Sequence, residues 1–180
     1  MSRLDVFAEE DPSSVETHQD GAAIAFRLAD LGVRFERWSA GVTLAEGATQ
    51  EAVLAAYAAP VAKLMKENGL RSVDVVSMTP DHPGRVAARA KFLEEHTHAE
   101  DEVRFFVEGR GLFSIHAKGR VYAVLCERGD LISVPAGTRH WFDMGPSPRF
   151  TAIRMFGNPD GWVAQFTGSD IAGRFPRLDA

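Results

Sequence analysis

The second half of the chain is divided into short apolar runs separated by glycine-bearing turns, and this pattern restricts the fold more than any other feature. The runs have the length of β-strands and are rich in β-branched and aromatic residues: EVRFFVEG, GLFSIHA, RVYAVLCE, DLISVP, RHWFDMG and FTAIRMF. Between two of them, Ala117–Gly119 predicts a tight hairpin. Many short strands at regular spacing indicate a sandwich or barrel of β-strands.

The first half has a different pattern, because helical periodicity dominates from residue 17 to 70. We expect Thr17 to cap a first helix and Pro60 to break or kink a later helical stretch into two helices. Short strands are predicted at 33–38 and 71–78, and a short helix at 84–95. The expected architecture is mainly β, a β-barrel with flanking α-helices in the N-terminal half.

The length of 180 residues suits one domain over residues 1–180. Within it we expect a largely helical flank with short strands at about 17–92, core barrel strands at about 93–156, and a loop-like tail at 157–180.

Charge and cysteine content exclude several classes of protein. The net charge is −5, the pI is about 5.7, and no run is rich in Lys and Arg, so no nucleic-acid partner is expected. No apolar segment begins the chain, and the uncharged run at 53–62 is too short to cross a membrane. The single cysteine, Cys126, has no disulfide partner in the chain and is predicted to pack as a small residue. A cytoplasmic location is expected.

The stretch HTHAEDE is the first candidate site. His96, His98, Glu102 and Arg104 share one parity, so in an extended segment they face the same side. Two imidazoles and one carboxylate on one face form a ligand set for a divalent transition metal. Glu100 has the same parity, and parity alone does not choose between it and Glu102.

A fourth ligand is expected from PAGTRH, where His140 follows a sharp turn. Nitrogen donors suit Fe, Ni, Cu or Zn, and one oxygen donor favours a six-coordinate ion over a closed structural zinc site. Four protein ligands on such an ion leave two positions for water or a chelating substrate. A lone histidine is more often a surface or packed residue, and we predict that role on the surface for His18, His82 and His116.

These residues resemble the two motifs of the cupin superfamily. The first motif, HxH followed by Glu and then Gly, is matched by His96, His98, Glu102 and Gly109. The second, Gly followed by PxGxxH, is matched by Gly129, Pro135, Gly137 and His140. Two positions depart from the cupin pattern: Ala90 replaces a glycine and Met144 replaces an asparagine, and neither is a ligand position. The resemblance places the carboxylate ligand at Glu102.

Longer segments resemble the acireductone dioxygenase family: FLEEHTHAEDEVRFFVEGRGLF, DLISVPAGTRHWFDMG and FTAIRMFGNPDGWVAQFTG. The resemblance implies a cupin jelly-roll and a monomer that binds one Fe(2+) or Ni(2+) per chain through His96, His98, Glu102 and His140. It implies a role in methionine salvage, where 1,2-dihydroxy-3-keto-5-methylthiopentene reacts with O2. With Fe(II) the family gives 2-keto-4-methylthiobutyrate and formate, and with Ni(II) methylthiopropionate, formate and carbon monoxide.

The remaining candidates surround this proposed centre. A dianionic ene-diol needs positive charge nearby, and Arg104, then Arg154, are the candidates for a catalytic role. The apolar methylthio tail suits an aromatic slot, for which the substrate-binding candidates are Phe92, Phe105, Phe142 and Trp162. Core packing for the aromatic residues and a structural salt bridge for Arg154 are the competing interpretations. Glu95 and Asp101 are expected in a solvated turn.

Two other functions remain open from the residues alone. One is a non-catalytic metal-binding cupin that senses a small ligand, and the other is a different cupin enzyme such as a sugar isomerase. Oxygen consumption with an acireductone separates the dioxygenase from both, since a binding module shows saturable binding without turnover.

Overall fold

The structure is a computed structural model, and it describes residues 1–45, 47–158 and 163–179. Within these ranges the strands are β1 Arg3–Ala8, β2 Asp11–His18, β3 Arg34–Arg37, β4 Ser72–Met78, β5 His96–Thr97, β6 Glu102–Ala117, β7 Arg120–Glu127, β8 Asp130–Val134, β9 Arg139–Asp143, β10 Phe150–Phe156 and β11 Gln165–Phe166. The helices are α1 Gly21–Ala29, α2 Gln50–Ala56, α3 Ala58–Asn68 and α4 Arg85–Phe92, with a short 3-10 helix at Ile171–Arg174.

Strand β6 is the central strand because it belongs to two sheets at once. Its first half pairs with β8 and β10, and its second half pairs with β7 and β9. One sheet has the strand order β11-β5-β9-β6-β7-β1-β2, and the other has the strand order β4-β10-β6-β8-β3. The sequence pattern predicted two strands in this region, whereas the structure has a single strand of 16 residues.

Strand β6 passes from one sheet to the other at Gly109. Its φ angle is +71°, in the left-handed region that favours glycine. A Cβ at this position would also lie 1.9 Å from the carbonyl oxygen of Arg149. Just before it, the register between β6 and β10 shifts, so that Thr151 faces Glu108 and Ala152 faces Phe106. This bulge reverses which parity of β6 points inward.

The inward faces of both sheets form an apolar core rich in aromatic rings, which includes Phe106, Phe113, Phe142, Phe150 and Met144. On the outer face of β6 and β10, a second cluster packs against α2 and α3, and a third lies under the C-terminal segment from residue 171 onwards. The predicted fold class is confirmed as a mainly β, cupin-type jelly-roll with flanking α-helices. Among the described strands, β2, β3, β4 and β11 are edge strands, so the two sheets do not close into a cylinder.

The N-terminal half differs from the sequence-based expectation in three details: an additional hairpin, the residue that caps α1 and the position of the helix break. Residues 3–18 form the β1–β2 hairpin, and Thr17 lies in β2, where its hydroxyl donates to Asp5. Asp20 therefore caps α1 instead, accepting a hydrogen bond from the Ala23 amide at 2.9 Å. The expected break between two helices is present, but it falls at Tyr57, and Pro60 lies in the first turn of α3, where proline is tolerated.

The predicted hairpin at Ala117–Gly119 is confirmed, because Lys118 and Gly119 both have positive φ angles, 53° and 67°. No helix in the described ranges is both long enough and apolar enough to cross a membrane. The division of the chain into a flank, a barrel and a tail stays a prediction.

Candidate metal centre

Three imidazoles and one carboxylate meet where β5, β9 and β6 lie side by side. His96 begins β5, Glu102 begins β6, His140 is the second residue of β9, and His98 follows the end of β5. Their candidate ligand atoms all lie within 4.8 Å of one another, and all four residues are buried. Convergence of this kind is unusual for charged and polar groups unless a ligand or a network of partners holds them.

The chain brings these residues together by a route that differs from a single extended strand. Strand β5 ends at Thr97 and β6 begins at Glu102, so residues 98–101 form a turn between two strands. His96 faces His140 directly in the ladder. The parity argument was therefore wrong in its premise of one extended segment, although the residues that it selected do converge.

Each of the three imidazoles is oriented by a backbone carbonyl that accepts from its Nδ1. The acceptors are the carbonyl oxygens of Glu94 for His96 at 2.7 Å, of Val163 for His98 at 3.2 Å and of Thr138 for His140 at 2.8 Å. A carbonyl oxygen only accepts, so the proton of each neutral imidazole is on Nδ1 and the lone pair is on Nε2. All three lone pairs are thereby available to one central ion, as metal-binding histidines require.

The carboxylate of Glu102 lies at the centre of the group. Its Oε2 is 2.8 Å from His140 Nε2 and 3.2 Å from His98 Nε2. Its Oε1 is 2.8 Å from Arg104 Nε, an ion pair in which the N–H is not aligned as a hydrogen bond. Burial alone would raise the pKa of Glu102, but the Arg104 charge and the two imidazoles outweigh it and hold this pKa well below its ordinary value. Glu102 is therefore an anion available for coordination.

The pKa values of His96 and His140 shift in opposite directions. Burial, reinforced by the nearby His140 charge, lowers the pKa of His96 to about 4, so this imidazole is neutral. Burial would lower the pKa of His140 as well, but its hydrogen bond to Glu102 outweighs that effect and raises it. A divalent ion would take the place of the proton that His140 and Glu102 share.

The acidic neighbours of Glu102 have other partners. Glu100 accepts a hydrogen bond from the Asn158 amide at 2.7 Å, and Asp101 accepts one from the Ala136 amide at 2.9 Å. Of the two glutamates that parity allowed, Glu102 is the one that lies among the imidazoles.

Comparison with known proteins identifies the family. The model of the ARD/ARD' family matches residues 5–164. The chain belongs to the ARD/ARD' family. It is 60% identical over 178 residues to an acireductone dioxygenase of Alcanivorax borkumensis, covering 98% of each chain. It is also 60% identical over 182 residues to an acireductone dioxygenase of Pseudomonas aeruginosa, covering 99% of each. A solved acireductone dioxygenase from Bacillus anthracis, with a cadmium ion in its active center, is 29% identical, with a TM-score of 0.83 over 92% of this chain and 98% of that one.

In this ARD/ARD' chain the guanidinium of Arg104 is buried between the carboxylate and the aromatic core. Its Cζ lies 4.7 Å from the ring centroid of Phe142 and 5.2 Å from that of Phe113. Phe92 packs edge-on against Phe142 with centroids 6.2 Å apart. Of the four aromatic candidates, the structure thus places Phe142 beside Arg104, with Phe92 packed against Phe142. Phe113 was not among the candidates, because the bulge in β6 reverses parity between positions 104 and 113.

Phe105 does not lie near this cluster, which corrects its selection as a substrate contact. It points to the opposite face of β6 from Glu102 and Arg104, since neighbouring side chains on a strand alternate. Its ring packs against Trp38 and Tyr57 with centroid distances of 5.0 and 5.2 Å. Phe105 is a core residue between the sheet and the helices, as the competing interpretation had it.

Arg154 is opposite Arg104 in the β10–β6 ladder, but its guanidinium binds elsewhere. Its Nε and a terminal nitrogen donate to the two carboxylate oxygens of Asp74 at 2.9 and 2.6 Å, and it stacks over Phe156 at 5.4 Å. The structural salt bridge considered for Arg154 is present. Trp162, the remaining aromatic candidate, lies outside the described residues.

A fourth buried imidazole, that of His116, lies outside the cluster, and here two expectations were wrong. His116 and Glu95 were predicted to be solvated, yet both are buried. His116 Nδ1 is 2.6 Å from Glu95 Oε2, and its Nε2 is 3.1 Å from Glu9 Oε2. The second oxygen of Glu95 accepts from the Thr167 hydroxyl at 2.7 Å. The partners come from distant parts of the chain, so no local pattern identified them. Cys126 is buried, as predicted.

Proposed function

We propose that this member of the ARD/ARD' family is a metal-dependent acireductone dioxygenase. In this proposal it cleaves 1,2-dihydroxy-3-keto-5-methylthiopentene with O2, a step of methionine salvage. The observation that carries the proposal is the buried cluster in which three Nε2 lone pairs and the Glu102 carboxylate converge. Relatives that are 60% identical along nearly their whole length and named acireductone dioxygenase support the same reaction.

The residues present fit a divalent ion, with His96, His98, Glu102 and His140 as its ligands. Three nitrogen donors and one oxygen donor suit Fe(2+) or Ni(2+), one ion per chain, and four ligands on a six-coordinate ion would leave two positions for a chelating substrate. When bound, the ion supplies a Lewis-acid centre at which the two oxygens of an ene-diolate are chelated in one geometry beside O2.

Arg104 supports the charge of the substrate. Its guanidinium is fixed by the Glu102 ion pair on one side and by the Phe142 and Phe113 rings on the other. A buried cation in a water-poor site stabilises an anion more strongly than an exposed one, because the local dielectric constant is low. We infer that Arg104 favours the doubly ionised form of the substrate. Arg154 is a second, weaker candidate, because its charge is already balanced by Asp74.

Phe92 and Phe142 supply an apolar wall for the methylthio tail. Phe142 is fully packed in the inner core, and Phe92 is partly exposed on α4. A thioether packs well against aromatic edges, so this wall suits the tail of the proposed substrate. Trp162 stays a candidate for the same role.

The finer assignments follow from the family resemblance. With Fe(II) we expect 2-keto-4-methylthiobutyrate and formate, and with Ni(II) methylthiopropionate, formate and carbon monoxide. The donor set suits both ions, so metal supply selects the product. We also propose a monomer in the cytoplasm.

The test is metal analysis of the purified protein combined with oxygen uptake and mass spectrometry of the products. We expect about one ion per chain and oxygen uptake that depends on the acireductone, with the product set changing between Fe(II)- and Ni(II)-loaded protein. Saturable binding of the acireductone without oxygen uptake would instead support a non-catalytic binding cupin. Turnover of a sugar but not of the acireductone would instead support a sugar isomerase.

A further inference from the structure

We propose that Gly111 is a positioning residue for Arg104, acting through the ring of Phe142. Its missing side chain leaves the space in which that ring lies, and the ring supports the guanidinium beside Glu102. The proposal rests on the proposed function, because Arg104 is assigned there to the substrate anion.

Gly111 lies in the second half of β6, opposite Cys126 on β7, and is buried. Its backbone is outside the left-handed region, so an L-residue could adopt the same conformation. The restriction is one of space. A Cβ built at this position would lie 2.4 Å from both Cε2 and Cζ of Phe142 and 3.4 Å from Cε1 of Phe106. Gly111 thus differs from Gly109, which needs its positive φ angle as well.

The Phe142 ring has little freedom to move away from an added Cβ. Other rings surround it, with centroid distances of 4.9 Å to Phe113, 5.7 Å to Phe150, 6.2 Å to Phe92 and 6.5 Å to Phe106. Protein interiors are close-packed, so an extra methyl group displaces its neighbours rather than filling a void. Normal van der Waals contact would require the ring to shift by about 1 Å.

A shift of the ring is transmitted to the cluster through Arg104. The Arg104 Cζ lies 4.7 Å from the Phe142 centroid, and its Nε lies 2.8 Å from Glu102 Oε1. The guanidinium therefore lies between the ring and a carboxylate that is itself held by two imidazoles. Displacing the ring changes the angle and distance at which Arg104 meets an anion chelated at the centre.

The first experiment compares Gly111→Ala with a matched control, Gly173→Ala. Gly173 also has an ordinary φ angle, and no atom lies within 4 Å of a Cβ built there. For Gly111→Ala we expect unchanged metal content, with kcat/KM lower by roughly 10- to 100-fold, because displacements near 1 Å have effects of this size. The dissociation constant of oxalate, a chelating dianion, should rise, and Gly173→Ala should match the natural chain in every measurement.

The second experiment repeats the substitution in the Phe142→Leu background. Leucine lacks the Cε2 and Cζ atoms that collide, so Gly111→Ala should then cost little beyond Phe142→Leu itself. Equal losses of kcat/KM in the two backgrounds would refute the proposal. Loss of thermal stability alone, with kcat, KM and oxalate binding unchanged per folded, metal-loaded molecule, would also refute it.

Two further outcomes are decided by the same variants. If Gly111→Ala does not fold, recovery of folded protein in the Phe142→Leu background supports the proposal that Gly111 leaves space for the Phe142 ring. Failure to fold in both backgrounds overturns that proposal. If the natural chain shows no turnover, the proposed reaction fails, but the NMR resonance of the Arg104 Nε–H still tests the positioning. That resonance should move in Gly111→Ala and stay in place in Gly173→Ala, and an unmoved resonance in both would overturn the inference.

Discussion

Two groups of buried imidazoles and carboxylates lie on opposite faces of the same ladder, and they have different partners. His140 on β9 faces Ile115 on β6, whereas the next residue of β6, His116, faces Arg139. Successive side chains alternate, so His140 points toward the inner core and His116 toward the outer face. Both imidazoles contact glutamate at hydrogen-bond distance.

The partner of the second ring nitrogen distinguishes the two groups. At His140 a backbone carbonyl fixes a proton on Nδ1 and directs Nε2 toward Glu102 and the other imidazoles, where an ion can replace the proton that His140 and Glu102 share. At His116 the two nitrogens face carboxylates of different residues, Nδ1 facing Glu95 and Nε2 facing Glu9, so these carboxylates lie on different sides of the ring and not around one point. Proximity of histidine to glutamate is therefore insufficient evidence for a metal site. The inner group, formed by His96, His98, Glu102 and His140, is suited to bind a cation. The outer group, formed by His116, Glu9 and Glu95, links β6 to the turn after β1 and to the segment before β5.

The largest expected effect is the loss of metal from the inner group in Glu102→Ala. This variant removes the only carboxylate among the four candidate ligands, and metal affinity should fall by more than the roughly 100-fold that loss of an outer partner of a ligand can cost. His140→Ala should behave alike. Metal content after dialysis, measured by inductively coupled plasma mass spectrometry, checks both variants.

Glu100→Ala is the matched control for this substitution. Glu100 is two residues away and has the same side chain, but it binds the Asn158 amide. Its metal content should equal that of the natural chain. Full metal occupancy in Glu102→Ala would show that the ligand assignment is wrong.

Arg104→Ala should separate charge stabilisation from metal binding inside the inner group. The ligands keep their carbonyl partners, so metal content should be unchanged, while kcat/KM should fall on the order of 100- to 1000-fold, as when a donor to a developing anion is removed. Steady-state oxygen uptake on metal-loaded protein measures it. Arg154→Ala provides the comparison. Because Arg154 is already paired with both carboxylate oxygens of Asp74, this variant should lose less of its kcat/KM. Equal losses in the two variants would remove the distinction between the arginines.

The outer group should respond in the opposite way, with stability lost and metal kept. His116→Ala leaves the buried carboxylate of Glu95 without its imidazole partner, which should cost roughly 3 kcal/mol of unfolding free energy. Chemical denaturation and metal analysis check the two parts. His18→Ala, which removes a solvent-exposed pair with Glu16, should change stability little. A loss of metal in His116→Ala under folding conditions would contradict the separation of the two groups.

The contrast also explains what could be predicted from the sequence. The inner group was found because its ligands are clustered in two short segments, 96–102 and 135–140, with motif spacing. The outer group was missed because His116 pairs with Glu9, in the turn between β1 and β2, and with Glu95, just before β5, and both are distant from it in sequence. Composition around His116 resembles that of any hairpin end.

The fold shows the same division between local and distant information. Strands bounded by glycine turns, such as β7 and β10, were predicted closely, because alternation and turn chemistry are local signals. The β1–β2 hairpin was missed, since β2 is an edge strand with mostly exposed polar residues and carries no apolar alternation. Phe105 was misplaced for a related reason: six consecutive residues from 102 to 107 are buried, so both faces of β6 look like core in the sequence.

The smallest expected effect comes from Glu9, at the exposed end of the outer group. Its hydrogen bond to His116 lowers the pKa of Glu9 below its ordinary value of 4.5. A depressed folded-state pKa adds stability above the unfolded-state value, and this stability is lost as the pH falls through the folded-state value. Glu9→Gln should therefore lower the melting temperature slightly near pH 7, and the difference should shrink as the pH falls below the ordinary value of 4.5 and through the lowered folded-state pKa. Thermal unfolding of both proteins between pH 3 and pH 7, roughly the range over which carboxylates titrate, measures this. A difference that stays constant across the range would mean that the charge of Glu9 has no part in holding His116.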